Sequence, residues 1–251
     1  MDLLNTTFVC IGVLLIVAAS LLRHSRERRS EDRVTAIAYC LFIAAGVLLQ
    51  GFIARHVSKT IDPELLHLDR ALGLDTLQLI GNFVHRSWPM PFLILLYVAL
   101  PVMIASAWIA EQDIVARRAV VLSGMLCFVF YAIFPAVGPN HFNWMAGRPE
   151  SFAPRNCIPS MHVSWALLIA WNARSRRLRV ILWSYAGLVA LATLAVGEHY
   201  LIDLLAAVPY CAVIQGLSSA NYSALFSRLA LLTSPGVVSG STEEMRGKLR
   251  L

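Results

Sequence analysis

Charge is what this sequence has least of. Only 14% of its 251 residues are Asp, Glu, Lys or Arg, against about 25% in a typical soluble domain. Hydrophobic residues make up 58% and the mean hydropathy is +0.65. That balance excludes an ordinary soluble domain and implies a chain solvated largely by lipid. Cysteine is scarce too: Cys10, Cys40, Cys127, Cys157 and Cys211 form no C-x-x-C pair and no zinc framework. Four of them lie inside apolar runs and read as small buried residues; Cys157 stands beside a polar motif. No dense cluster of metal-ligating side chains occurs, so neither metal nor cofactor is expected. There is no internal repeat. The start lacks a basic n-region and an A-x-A-like site, so the first apolar run is expected to remain as a membrane helix. The net charge of +6 does not argue for a nucleic-acid partner, because the basic residues fall in short clusters between apolar runs, as topology signals do.

What is present is a series of apolar runs approaching the ~20 residues that cross a bilayer. They cover 8–22, 34–54, 89–109, 119–137, 159–173, 180–196 and 201–217. The expected fold is therefore all-α, a polytopic membrane helical bundle of six or seven spans. Arg23, Arg26, Arg28, Arg29 and Arg33 follow the first run, Arg117 and Arg118 the third, and Arg174, Arg176, Arg177 and Arg179 the fifth. The tail adds Arg228, Arg246, Lys248 and Arg250. These outnumber Arg55, Lys59, Arg70, Arg86, Arg148 and Arg155 in the alternate connections. The positive-inside bias puts the N-terminus outside and the C-terminus inside, and it places segments 138–162 and 197–203 on one outer face. Between Arg55 and Trp88 the chain is too mixed to span. Asp62-Pro63-Glu64 reads as an N-cap, a first-turn proline and an acidic first turn. Leu65, Leu66, Leu68, Ala71 and Leu72 follow at the spacing of a surface-lying helix. A second short helix is expected to start near Asp75. The tail from about Ser234 reads as disordered. The organisation expected is N-terminal transmembrane helices over 1–54, a catalytic membrane core over 55–217 and a polar cytoplasmic tail over 218–251.

Polar chemistry concentrates in two stretches. The first, Pro154-Arg-Asn-Cys-Ile-Pro-Ser-Met-His162, reads as the start of an apolar helix with Pro159 in its first turn. Backbone N–H groups and the dipole at such an end attract phosphate. Arg155 adds a forked cation suited to phosphate oxygens, and Asn156, Ser160, His141 and Arg148 add further donors. The second stretch, Gly197-Glu-His-Tyr-Leu-Ile-Asp203, sets a His and an Asp four residues apart, a spacing that a helix turns to one face. Asp203 can orient the His199 ring, leaving it free to attack phosphorus. His162, on the far side of the phosphate, can protonate the leaving oxygen.

Pro-Ser-x-His followed by His-Tyr-x-x-Asp resembles the type 2 phosphatidic acid phosphatase superfamily. Within it, the pattern is similar to the branch of inositol phosphorylceramide synthases and sphingomyelin synthase-like enzymes, as is Phe134-Pro-Ala-Val-Gly-Pro139. The likeness covers roughly residues 60–215. It implies a six-helix core, His199 as the nucleophile of a phosphohistidine, Asp203 as its orienting partner, His162 as general acid and Ser160 as a phosphate ligand. The chain departs from the phosphatases in three places. Met161 stands for the Gly of Pro-Ser-Gly-His, Thr193-Leu194 stand for a Ser-Arg pair that supplies a phosphate clamp, and His141-x6-Arg148-Pro149 matches Lys-x6-Arg-Pro with His for Lys.

The activity expected is hydrolysis of a lipid phosphate, or transfer of a phospho-head-group to a second lipid. Membrane lipids are the partners, and the site faces the non-cytoplasmic side of a membrane, the bacterial inner membrane being the best fit. The residues leave open water or a lipid alcohol as acceptor. Two other readings stand beside it: a non-enzymatic transporter or lipid-binding protein, and a zinc-dependent hydrolase built on His141, His162, His199 and Asp203.

Overall fold

The computed structural model describes residues 9–18, 29–84, 89–111 and 114–219. The tail read as disordered, and the clusters at Arg23, Arg26, Arg28, Arg86, Arg228, Arg246, Lys248 and Arg250, lie outside them. The fold is an all-α membrane bundle. Its helices are α1 Val9–Ala18, α2 Arg29–His56, α3 Asp62–Ala71, α4 Thr76–Val84, α5 Pro89–Val98, α6 Leu100–Glu111, α7 Ile114–Ile133, α8 Met161–Trp171, α9 Arg176–Val196 and α10 Leu201–Ser219. Four stretches (Ala36–His56 of α2, and α7, α9 and α10) are long and apolar enough to cross a membrane, and α5 with α6 makes a fifth if counted as one broken span. Helices α1 and α8 are shorter.

The run 89–109, expected as a single span, is two helices bent by 47°. Pro101 explains the break. It has no N–H to donate and its ring crowds the carbonyl one turn back, so the chain breaks at Ala99 and Pro101 is taken into the first turn of α6. The second helix restarts on Ala99, whose carbonyl accepts from Val102 and Met103, each at 3.0 Å. Beside the bend, the Tyr185 hydroxyl donates to the Leu96 carbonyl at 2.9 Å. The run 119–137 likewise ends early, at Ile133, one residue before Phe134-Pro135. Ser175 caps α9 by accepting from Leu178 at 3.1 Å, so this helix begins inside the arginine cluster.

Two glycines are placed by close approach. A Cβ on Gly124 of α7 would sit 2.7 Å from the Phe42 ring of α2. Small residues of this kind let membrane helices pack tightly. Gly138 has φ +87°, a conformation that costs other residues strain, and a Cβ there would meet the Glu198 carbonyl oxygen at 2.4 Å. The core over α2, α6, α7, α8 and α9 is built around Tyr39, Phe42, Trp108 and Leu182.

Helices α3 and α4 cover the segments 62–71 and 76–84, close to where the sequence placed them, with Asp75 accepting from Gln78 N–H at 3.1 Å. Asp62, however, is not the N-cap. Ile61 holds that place without a side-chain cap bond, and Asp62 is the first helical residue, fully buried. The buried face of α3 joins Leu65 and Leu66 to Asp62 and Asp69, while Leu68, Ala71 and Leu72 are exposed. Within the polar segment 138–157 lies a small antiparallel hairpin, β1 Phe142–Asn143 against β2 Arg148–Pro149. Asn143 Oδ1 accepts from Ala146 N–H at 3.1 Å and Gly147 takes φ +61°, which closes its turn.

Candidate active site

Both polar stretches meet at one end of the bundle. Asn140 N–H donates to the Gly197 carbonyl at 2.9 Å, and Ser160 N–H donates to the Asp203 carbonyl at 3.1 Å. The Cys157 thiol donates to the Glu198 carbonyl at 3.2 Å. Together these bonds sew segment 138–160 to segment 197–203.

The second stretch is built by the end of α9 and the start of α10. Gly197 closes α9 in the left-handed conformation, φ +81°, as helix C-termini favour. Four residues later α10 begins, so His199 stands in the turn between the helices rather than on the face of one. The turn itself makes the pair: Asp203 Oδ2 accepts from Tyr200 N–H at 2.9 Å and lies 3.4 Å from His199 Nδ1. At 3.4 Å the two are in ion-pair range, but long for a hydrogen bond. His199 Nδ1 and Asp203 Oδ1 have no other hydrogen-bond partner among the described residues. His199 is 4% exposed and Asp203 fully buried.

Helix α8 starts at Met161. Pro159 is not in its first turn: it precedes the cap, joined to Ile158 by a cis peptide. Ser160 is the N-cap, its hydroxyl accepting from Val163 N–H at 3.5 Å, a weak closure. One residue inside, His162 lies against Tyr97 of α5 with ring centroids 3.8 Å apart and planes at 20°. Its ring stands 6.2 Å from that of His199, edge to face.

The two helix starts differ in what they leave free. In the first turn of α10 every donor is taken, Tyr200 N–H by Asp203 and the Leu201 and Ile202 N–H groups by Asp69 at 2.7 and 2.9 Å. A phosphate has no donors to meet there. At α8 only Val163 N–H is engaged by the cap, and the N–H groups of Met161 and His162 have no acceptor among the described residues. The helix start that leaves backbone N–H groups available to an anion is that of α8.

The other sequence candidates are placed as follows. Arg155, 3% exposed, spends two of its nitrogens on carbonyls. Nη1 donates to Glu150 at 3.0 Å and to Ala153, and Nε donates to Val57 at 3.4 Å. Nη2 is left without an acceptor among the described residues. His141 lies between two carboxylates, Nδ1 3.1 Å from Glu150 and Nε2 3.4 Å from Glu198. Its hydrogen bond to Glu198, and then the attraction of both carboxylates against partial burial, lifts its pKa to about 9. It is therefore a cation at neutral pH, as the lysine of the resembled motif would be. Asn156 is half-buried, and Arg148 is exposed on β2, where nothing ties it to the histidines. Thr193 hydrogen-bonds to Ala190 within α9. Leu194, at the position of the missing clamp arginine, packs with Val163, Leu204 and Ala207.

One group of possible metal donors converges among the described residues: Cys157 Sγ, a His199 nitrogen and an Asp203 oxygen, all within 4.8 Å of one another. It is not the set that the sequence suggested for zinc. Burial pushes the Cys157 thiol well above its usual pKa, with nearby carboxylates adding to the effect. Its S–H already donates to the Glu198 carbonyl, a bond that zinc, which takes the thiolate, would have to break.

Three further residues were not assigned to the site from the sequence. Tyr97 supports the His162 ring. Asp62 accepts from Gly138 N–H and the Tyr200 hydroxyl, each at 2.9 Å, and from Val137 N–H at 3.1–3.2 Å. Asp69 holds Leu201, Ile202 and the Thr76 hydroxyl. The one signal in the sequence was a pair of acids two helical turns apart in an otherwise amphipathic helix.

A sequence profile of the PAP2 superfamily matches residues 63–217, a span that includes every residue just described except Val57 and Asp62. No curated protein and no solved structure matches the chain.

Proposed function

The chain belongs to the PAP2 superfamily, whose chemistry is that of lipid-related phosphatases and phosphotransferases, and from that premise we propose a two-step phosphoryl or phospho-head-group transfer through His199. The observation that carries this is the approach of the His162 and His199 rings to 6.2 Å, with Asp203 behind His199 Nδ1. A proton on Nδ1 turned to Asp203 leaves the Nε2 lone pair free. Nε2 attacks phosphorus, forming an N–P bond as the bond from phosphorus to the leaving lipid oxygen breaks. His162, protonated, gives its proton to that oxygen. In the second step an acceptor hydroxyl gives its proton to His162 and attacks phosphorus, and the N–P bond breaks. Water as acceptor makes the protein a phosphatase; a lipid alcohol makes it a transferase of the inositol phosphorylceramide synthase-like type.

Developing charge on the equatorial oxygens is met by the Met161 and His162 N–H groups, with Ser160, Asn156, Arg155 Nη2 and His141 as further donors; Arg148, exposed on β2, is left out of that set. The 3.4 Å separation of His199 and Asp203 shortens on substrate binding, as catalytic hydrogen bonds do in the Michaelis complex. The arginine distribution supports a site on the non-cytoplasmic face, in a bacterial inner membrane.

The test is turnover of lipid phosphates by purified protein in detergent, wild type beside His199→Ala, with ceramide or diacylglycerol offered as acceptor. Free phosphate that disappears in the variant identifies a phosphatase. A new phospholipid with little free phosphate identifies a transferase. Undiminished turnover in His199→Ala overturns the mechanism.

A further inference from the structure

We propose that α3 is a clamp on the active site and that Asp69 is a positioning residue for the His199–Asp203 pair, a role that rests on the two-histidine reading above. Asp62 and Asp69 are seven residues apart, two helical turns, and so share a face. Both are fully buried, although α3 leaves its other side exposed. A buried carboxylate is tolerated only when its oxygens are saturated with donors. Here the donors come from the two segments that carry the chemistry. Asp62 takes the N–H groups of Val137 and Gly138, at the root of the loop leading to His141, together with the Tyr200 hydroxyl. Asp69 takes the N–H groups of Leu201 and Ile202, the two residues between Tyr200 and Asp203.

The geometry makes this more than a cap. His199 and Asp203 sit at the two ends of the five-residue turn whose middle Asp69 grips. Asp203 has already spent Oδ2 on Tyr200 N–H, so the path of the turn decides where that oxygen lies relative to His199 Nδ1. Asp69 accepts on both oxygens, Leu201 and the Thr76 hydroxyl on Oδ2 and Ile202 on Oδ1. An amide in its place can accept on one side only. Asp69→Asn therefore frees one of the two N–H groups while keeping the side chain's shape, and the turn relaxes. The Thr76 hydroxyl touches the same carboxylate without touching the turn, so Thr76→Val disturbs the same buried cluster and spares the pair.

Hydrogen exchange on the wild-type protein in detergent tests the clamp without any variant. First-turn amides of a helix ordinarily lack acceptors. Those of Leu201 and Ile202 should nevertheless be protected, and those of Met161 and His162 should exchange quickly. Rapid exchange at Leu201 and Ile202 overturns the proposal. Kinetics test the positioning role. Asp69→Asn should lower kcat about 100-fold, the scale of a misplacement near 1 Å, and leave KM within about twofold. Thr76→Val should stay within a few-fold of wild type. Equal losses in Asp69→Asn and Thr76→Val would make Asp69 merely structural, and wild-type kcat in Asp69→Asn would remove the role altogether. His199→Ala run alongside separates the two claims. If it is inactive while Asp69→Asn keeps wild-type kcat, the clamp fails and the histidine mechanism stands. If His199→Ala retains turnover, both fall.

Discussion

His162 lies flat against Tyr97, ring centroids 3.8 Å apart and planes at 20°. The proposed general acid thus comes from one helix and its support from another, α5, in the turn just before the Pro101 bend. Stacking of this kind is worth about 1 kcal/mol beyond the area it buries. Loss of that much ordering in the transition state costs about fivefold in rate. Tyr97→Leu should lower kcat by that order, and Tyr97→Phe, which keeps the ring, should stay near wild type. Steady-state kinetics on both variants checks the difference.

Asp203 faces His199 Nδ1 and should matter through the orientation of that ring. Asp203→Asn keeps the volume and removes the charge. A loss of about 10²–10⁴ in kcat is expected, the range of general acid–base and orienting contributions. His199→Ala should form no phosphoenzyme at all. Brief incubation with radiolabelled lipid phosphate, followed by a quench in base, checks whether label stays on the protein in Asp203→Asn and is absent in His199→Ala.

His141 offers a pH test with a definite sign. Its pKa is raised from 6.5 to about 9 in the folded protein, first by the hydrogen bond to Glu198. A raised folded-state value means that its stabilisation is fully present below pH 6.5 and is lost as pH rises through 9. The melting temperature of His141→Gln should therefore fall furthest below wild type near pH 6, with the gap closing toward pH 10. A gap that widens with pH would contradict the pairing with Glu150 and Glu198.

Gly138 joins the loop to the turn that carries His199. A Cβ there would lie 2.4 Å from the Glu198 carbonyl oxygen, and φ is +87°. Gly138→Ala should destabilise the protein by about 1–3 kcal/mol, the cost of strained backbone. It should also lower activity more than a comparable change at Gly147, where a Cβ meets nothing within 4 Å. Thermal melts and turnover on the two alanine variants decide it.

Much of this was legible in the sequence because it is local or periodic. Apolar runs located most of the helices, and Asp62-Pro63 and Asp75 marked the two short ones. The Ser-x-His and His-Tyr-x-x-Asp spacings picked out both halves of the site. Pro101 stood in plain view inside a run read as one span; run length outweighed it, although a proline with no N–H was sufficient reason for a break. Asp62 was given a local role as a cap because capping is what a sequence displays, whereas its actual partners Val137, Gly138 and Tyr200 are brought to it only by the fold. Tyr97 gave no signal at all. Its neighbours in the chain are apolar, and nothing in their spacing says which of them meets a histidine.

Leu194 has a consequence for the end of the catalytic cycle. Its side chain is committed to Val163, Leu204 and Ala207, so the charge that would grip a departing anion is missing on that flank. Glu150 and Glu198 stand close by around His141. With no arginine on that flank, a product dianion should be held less firmly than in a site that has one. Added inorganic phosphate should accordingly inhibit weakly, and placing Arg at position 194 should slow release more than it speeds chemistry.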